Sequence, residues 1–167
     1  MAQVDPHAAV YTGSFDPITL GHLNVIQRCS RLVDRLIIGI GLNIEKEALF
    51  SVEERIRLVR QATSHLHNVE ILAFDGLAVD FVKRCNARVM VRGVRSLSDM
   101  EAEFTMSLAN RKLAPDIETI FLMSGEEYAH ISSSLIKQIA ALAGQEELEQ
   151  FVPSIVADAL RERLLPS

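Results

Sequence analysis

The run LIIGIGL, residues 36–42, is apolar from end to end. A strand with one wet face alternates polar and apolar side chains. An unbroken apolar run of this length belongs to a strand covered on both faces, as in a parallel sheet flanked by helices. The run is far shorter than the ~20 residues that a membrane-crossing helix requires. A sheet of this kind needs partner strands and crossover helices, so the rest of the chain should supply both in alternation.

It does. Strand-length segments read as AAVYTG (8–13), RLIIGIGL (35–42), VEILAF (69–74), RVMVRG (88–93) and ETIFLMS (118–124). Between them lie segments with helical spacing. Residues 20–32 carry Leu23, Val25, Ile26, Cys29 and Leu32 on one side. Residues 51–66 open with Ser51 and Glu54 as a capping box, then place Val52, Ile56, Val59, Ala62 and Leu66 on one face. A short helix is expected over 77–85. A longer one follows RGVR with Ser98 and Glu101 as a second capping box and Pro115 beyond its end. ISSSLIKQIAALAG should begin a helix behind three serines and stop at Gly144, and a last helix should start near Pro153. The pattern predicts an α/β domain: a Rossmann-like, doubly wound, five-stranded parallel sheet with helices on both faces and a C-terminal helix. No linker or shift in composition interrupts it, so residues 1–167 read as a single domain, with MAQVDPH as a disordered lead-in.

The formal net charge of −5 argues against nucleic-acid binding by bulk electrostatics. It leaves room for an anionic small substrate, because local clusters of cations focus a field whatever the total charge. Cys29 and Cys85 have no partner at metal-ligand spacing, which fits a reducing interior. No basic, apolar and small-residue segments follow one another at the N-terminus, so neither a signal peptide nor membrane attachment is expected, and the location expected is cytoplasmic. His65 and His67 stand without nearby ligands and read as a helix end and turn.

Ligands of such folds bind outside the carboxyl ends of the strands. Three segments rich in glycine, serine and cations, TGSFDPITLGH, RGVRSLSD and SGEEYAHISSS, each follow a strand directly and should therefore meet. In the first, Gly13 lets a backbone approach a ligand closely and Ser14 offers a hydroxyl. Gly21 and His22 sit where a helix begins, with unpaired N–H groups that favour anions. A histidine there can donate to a phosphate oxygen. Arg92 and Arg95 bring planar guanidinium forks suited to phosphates. GIGLNI lacks the third glycine of a dinucleotide fingerprint and opens no helix, and no G-x-x-x-x-G-K-[ST] occurs.

Ser14-Phe15-Asp16-Pro17 followed by Thr19-Leu20-Gly21-His22 resembles the [T/H]-x-G-H signature of the nucleotidyltransferase superfamily. GSFDPITLGH, Lys46 ahead of LFSVEER, RGVRSLSDMEAEF, NRKLAP, ETIFLMS and ISSSLIK, in that order, are similar to the phosphopantetheine adenylyltransferase family along nearly the whole chain. The resemblance implies adenylyl transfer from ATP to 4′-phosphopantetheine, giving dephospho-coenzyme A and pyrophosphate, with Mg²⁺, a homohexamer and coenzyme A as a feedback inhibitor. It implies His22 as transition-state stabiliser, with Lys46 and Arg92 also catalytic. Ser14, Phe15, His22, Gly93, Val94, Arg95, Glu103, Tyr128, Ala129, His130, Ile131, Ser132, Ser133 and Ser134 would contact ATP. Ser14, Lys46, Ala78 and Arg92 would hold the acceptor. Ser14 stands where many relatives carry threonine, and Ala78 and Ala102 replace larger residues of some relatives, which bears on pocket shape. A sibling that adenylylates nicotinate or nicotinamide mononucleotide, and a catalytically silent nucleotide-binding module, are the alternatives.

Overall fold

The computed structural model describes residues 4–42 and 48–164, so Lys46 lies outside the described residues. Strands β1 (Ala8–Gly13), β2 (Arg35–Gly41), β3 (Val69–Phe74), β4 (Val89–Val94) and β5 (Glu118–Met123) form one sheet in the order β3-β2-β1-β4-β5. Every neighbouring pair is parallel. Helix α1 (Leu20–Ser30) joins β1 to β2, α2 (Val52–Ala62) joins β2 to β3, α3 (Ala78–Arg84) returns the chain to the far side of β1, and α4 (Leu97–Leu113) joins β4 to β5. A 3-10 turn (Glu126–Tyr128), α5 (Ser133–Ile139), α6 (Gln145–Leu148) and α7 (Ser154–Leu164) complete the chain. The winding reverses between β1 and β4, so their outgoing loops part and leave a crevice at the carboxyl ends.

Strand alternation assigns the two cores. Ala9 and Tyr11 of β1, with Leu36, Ile38 and Ile40 of β2, pack on the side of α1, α2 and the C-terminal helices. Ala8, Val10 and Ile37 face the other way, against Val79, Phe81 and Val82 of α3. The apolar run of β2 is therefore buried on both sides, and each fully enclosed isoleucine is worth about 1.5–3 kcal/mol of transfer free energy. The two cysteines are free, buried, and divided between the two faces. No helix among the described residues is long and apolar enough to cross a membrane.

Three local expectations need correction. Helix α4 is capped by Ser96, whose Oγ accepts from the Asp99 N–H at 3.2 Å, and not by the pair Ser98 and Glu101. Strand β4 runs on to Val94 and the helix begins at Leu97, so Ser98 already lies inside the first turn. Helix α5 stops at Ile139, where the Leu142 and Ala143 N–H groups both turn back to the Ile139 carbonyl. Gly144 instead opens α6, donating its N–H to Glu147 Oε2 at 2.6 Å. The described part of the lead-in is tied down rather than loose. The Asp5 N–H reaches the Asn86 carbonyl at 2.8 Å, and the His7 carbonyl accepts from the Asp34 N–H at 3.0 Å.

None of the residues of helix α4 is buried. Phe104, Met106, Leu108 and Leu113 are each more than half exposed, and Ile120 and Met123 of the edge strand β5 also stand open.

Candidate active site

The three segments singled out in the sequence converge on one cleft of about 290 Å³ at the reversal between β1 and β4. Strand β1 and its exit contribute Tyr11, Thr12, Gly13 and Ser14; α1 and its cap contribute Thr19, Gly21, His22 and Val25. Arg92, Gly93, Val94 and Arg95 come from β4, and Asp99 and Glu103 from α4. Ser124, Ile131, Ser132, Ser133 and Ser134 close the far side.

His22 is the third residue of α1, and its side chain turns back on the cap. Nδ1 accepts from the Thr19 backbone N–H at 3.2 Å and lies 3.1 Å from Thr19 Oγ1, while the His22 N–H donates to that Oγ1 at 3.3 Å. A backbone N–H can only donate, so Nδ1 carries no proton, and the neutral ring holds its proton on Nε2. Burial, with Arg95 and Arg92 adding to it, lowers the His22 pKa to about 4. At neutral pH the ring is therefore an uncharged donor whose free N–H belongs to the cleft. Phe15 braces it edge-on, with ring centroids 5.1 Å apart.

Each arginine is anchored by a carboxylate of α4. Arg92 is gripped at both ends: Nε and Nη2 donate to Glu103 at 2.5 and 2.7 Å. Its Nη1 donates to the Thr12 carbonyl at 2.8 Å and to Thr12 Oγ1 at 2.9 Å. Four of its five N–H bonds are thus engaged, leaving one for a ligand. Burial disfavours this cation, but the hydrogen-bonded Glu103 carboxylate more than offsets that, and the Arg92 pKa is raised. Arg95 pairs with Asp99 through Nε at 2.8 Å and Nη2 at 3.1 Å, and its Nη1 donates to the Ile131 carbonyl at 2.6 Å. Arg95 therefore ties the start of α4 to the segment that enters α5.

The serine triplet divides its duties. Ser132 caps α5 through the Leu135 N–H at 3.0 Å, and Ser133 donates to the Pro17 carbonyl at 2.8 Å, binding α5 to the first motif. Ser134 alone has a hydroxyl without a hydrogen-bond partner among the described residues, so fewer hydroxyls are spare than three serines suggest. Phe15 does not line the cleft. It is buried at φ 47°, a left-handed backbone uncommon for a bulky residue, and its ring fills the core between Tyr11 and His22. Tyr128, Ala129 and His130 do not line the cleft, although Tyr128 Cβ lies next to Gly21, which does. Ala78 begins α3 beyond β3, outside this cleft.

Sequence reading passed over several residues that shape the site. Asp99 lies one helical turn before Glu103, so the two carboxylates face the two arginines together; the spacing of Arg95 and Asp99 was the available signal, and Glu103, expected as a nucleotide contact, is engaged by Arg92. Asp16 is buried, accepts from the Leu49 and Phe50 N–H groups at 2.9 Å each, and pairs with Lys137 at 2.5 Å. Arg55 of α2 is only 5% exposed. Its Nη1 donates to the Ser14 carbonyl at 2.9 Å and weakly to the Gly41 carbonyl, lashing the exits of β1 and β2 together. Nothing in the periodicity of α2 marks a buried arginine.

Such an assembly offers donors and cations, and the one hydroxyl beside the histidine among the described residues, that of Thr19, serves as the cap of α1. It suits the reaction of one phosphate with another, where the protein positions two anions and steadies charge at phosphorus. Among the described residues no three His, Cys, Asp or Glu side chains gather as a metal-ligand set. The two carboxylates of the cleft are committed to arginines.

The cytidylyltransferase-like family matches the chain over residues 10–139. The phosphopantetheine adenylyltransferase of Rhodopirellula baltica is 57% identical over 157 residues, covering 93% of this chain and 88% of the relative. Those of Clostridium botulinum and Caldanaerobacter subterraneus are 49% and 48% identical, covering 92% and 95% of this chain and 96% and 98% of theirs. Among solved structures, the Plasmodium falciparum nicotinic acid mononucleotide adenylyltransferase superposes with a TM-score of 0.68 at 16% identity, covering 96% of this chain and 97% of that one. That likeness bears on the fold alone. The sequence relatives carry more: the same cytidylyltransferase-like frame, at about half identity and nearly full length, makes this chain a member of the phosphopantetheine adenylyltransferase family of nucleotidyltransferases.

Proposed function

We propose that the chain transfers the adenylyl group of ATP reversibly to the phosphate of 4′-phosphopantetheine, giving dephospho-coenzyme A and pyrophosphate. The observation that carries this reading is the meeting of an uncharged Nε2–H donor on His22 with the carboxylate-anchored Arg92 and Arg95 in one cleft. An oxygen of the acceptor phosphate attacks the α-phosphorus in line. The bond from that phosphorus to the bridging oxygen breaks, and pyrophosphate departs with the electron pair. No residue has to give or take a proton. His22 donates to the α-phosphoryl oxygen as charge builds there, a contribution that costs no reorganisation because Thr19 has already oriented the ring. Arg95 faces the triphosphate, and the remaining N–H of Arg92 faces the acceptor, with Lys46 as a second cation for that phosphate.

Mg²⁺ would accompany ATP and, when bound, would neutralise phosphate charge; Asp99 and Glu103, committed to the arginines, would stay with them. Coenzyme A, built from the same phosphopantetheine and adenylate parts as the product, occupies the cleft as an inhibitor. The enzyme works in the cytoplasm as a homohexamer, and the uncovered apolar residues of α4 and β5 support self-association.

The deciding experiment follows pyrophosphate release after Mg-ATP and phosphopantetheine are added, with the mass of the nucleotide product measured. Release that requires phosphopantetheine, together with the mass of dephospho-coenzyme A, is the expected result. Release with nicotinamide mononucleotide as acceptor instead would assign the chain to the sibling chemistry, and ATP binding without release would make it a silent module.

A further inference from the structure

At the floor of the cleft lies a polar group that neither the motif nor the arginine anchors account for. Tyr11 belongs to β1 and is only 5% exposed. Its ring is packed edge-on against Phe15, with centroids 5.4 Å apart, and belongs to the core on the α1 side of the sheet. A buried tyrosine in such a setting ordinarily spends its hydroxyl on a neighbouring carbonyl or carboxylate. Here the hydroxyl has no hydrogen-bond partner among the described residues, and Tyr11 lines the cleft.

Its surroundings account for that position. On β4 the neighbouring register pair is Tyr11 with Val91, and Gly93 lies farther along the same face. A Cβ placed on Gly93 would stand 2.8 Å from the Tyr11 hydroxyl and 3.3 Å from Val25 Cγ2. The glycine of RGVR therefore makes room for this hydroxyl, whatever else it does for a nucleotide. Arg92 and Arg95 flank the space on the α4 side, and His22 stands at the head of α1. Burial raises the Tyr11 pKa far above its ordinary value, so the group keeps its proton throughout the working pH range.

We propose that the Tyr11 hydroxyl donates a hydrogen bond to a phosphoryl oxygen of bound substrate, acting beside His22, Arg92 and Arg95 as a further donor of the site. The reasoning is one of satisfaction. An uncharged donor, enclosed on the protein side and open only toward a space lined by cations, is completed by an anionic oxygen placed there. Both the α-phosphate of ATP and the phosphate of the acceptor offer that chemistry. This inference rests on the proposed adenylyl transfer for the identity of the ligands, but not for the existence of the contact.

The chain contains two tyrosines, Tyr11 and Tyr128, which makes a direct observation practical. With tyrosine labelled at the ring carbon that bears the hydroxyl, the full-length protein gives two resonances, and a Tyr128→Phe sample identifies that of Tyr11. ATP, phosphopantetheine and inorganic pyrophosphate are then added separately. The Tyr11 signal is expected to move with ATP if the α-phosphate is the acceptor, or with phosphopantetheine if the other phosphate is. In parallel, Tyr11→Phe removes the oxygen and keeps the ring against Phe15. Its kcat/KM is expected to fall about 10- to 100-fold at unchanged thermal stability, the size of one hydrogen bond to a charged group. A rise confined to the KM of one substrate identifies the phosphate touched, whereas a fall in kcat places the contact in the transition state. A Tyr11 signal that ignores all three ligands, or a Tyr11→Phe enzyme within twofold of the parent, overturns the proposal. If wild-type protein releases no pyrophosphate yet the Tyr11 signal moves with ATP, the assigned reaction fails and the contact stands.

Discussion

A histidine that has to meet a growing negative charge serves best when its proton is already in place. In His22 the Thr19 backbone settles the tautomer, and burial between two arginines settles the charge. We therefore expect a nitrogen-detected NMR titration to show the Nε2–H form, with a midpoint near 4 rather than near the ordinary 6.5. Assignment is simple, because His22→Ala removes one signal of five. The sign for stability follows. Between pH 6.5 and 4 the unfolded chain binds the proton and the folded chain does not, so this residue makes stability fall as the pH drops through that window. A midpoint at 6.5 would contradict the buried neutral ring. The same variant should keep its fold and lose about 10²–10³ in kcat, as expected for removal of a donor aimed at a developing charge. At this scale the sequence indicated which residues share the cleft wherever they followed a strand within a motif, as with His22, Arg92 and the serines. It was opaque for Tyr11, Thr12 and Arg55. The first two read as ordinary strand residues, and the third carries a charge on what the periodicity treats as an unremarkable turn of α2.

Elements were easier to locate than to end. Strand β2 was visible because burial on both faces leaves an apolar run, and VEILAF coincides with β3 residue for residue although none of its residues is fully buried. Helix ends depend on which of several competent residues the preceding strand delivers to the cap, and that is a matter of tertiary geometry. The start of α4 shows this clearly. SLS presents serines at 96 and 98, and the second also has a glutamate three residues on, yet the chain leaves β4 in a path that puts Ser96 at the cap. Ser96→Ala should accordingly destabilise the protein by about 1 kcal/mol in urea unfolding, the usual worth of an N-cap hydroxyl. Ser98→Ala should stay within about 0.5 kcal/mol of the parent. Both are to be compared at one protein concentration, since association of folded chains would shift the midpoint. Equal losses, or a larger loss for Ser98→Ala, would place the cap at the other serine. The end of α5 makes the same point in reverse: Gly144 has the character of a helix terminator and is used as a helix beginning.

On the scale of the whole molecule, the uncovered helix and the cleft are physically linked. Leu97, Phe104 and Leu108 recur at helical spacing along α4 and form one stripe, and Phe104 and Leu108 border a groove completed by Ile117 and Phe121. From its residues alone α4 was recognisable as a helix, but they did not reveal that its apolar stripe would be left without a partner in its own chain, because the pattern of a helix covered by its own sheet and one covered by another copy is the same. Asp99 and Glu103, which hold Arg95 and Arg92, project from this same helix. A helix without a single buried residue of its own is poorly braced for that task in an isolated chain, and a second copy packed against the stripe would brace it. Wild-type protein is therefore expected to sediment as an oligomer of 18.6 kDa chains, six in the proposed assembly, and Phe104→Glu combined with Leu108→Glu as smaller species with the same far-ultraviolet circular dichroism. Because the arginine anchors ride on α4, dissociation should also raise the KM of both substrates, although neither altered residue lines the cleft. A wild-type monomer with full activity would show that α4 holds its arginines unaided, and would leave the apolar stripe without a part in assembly.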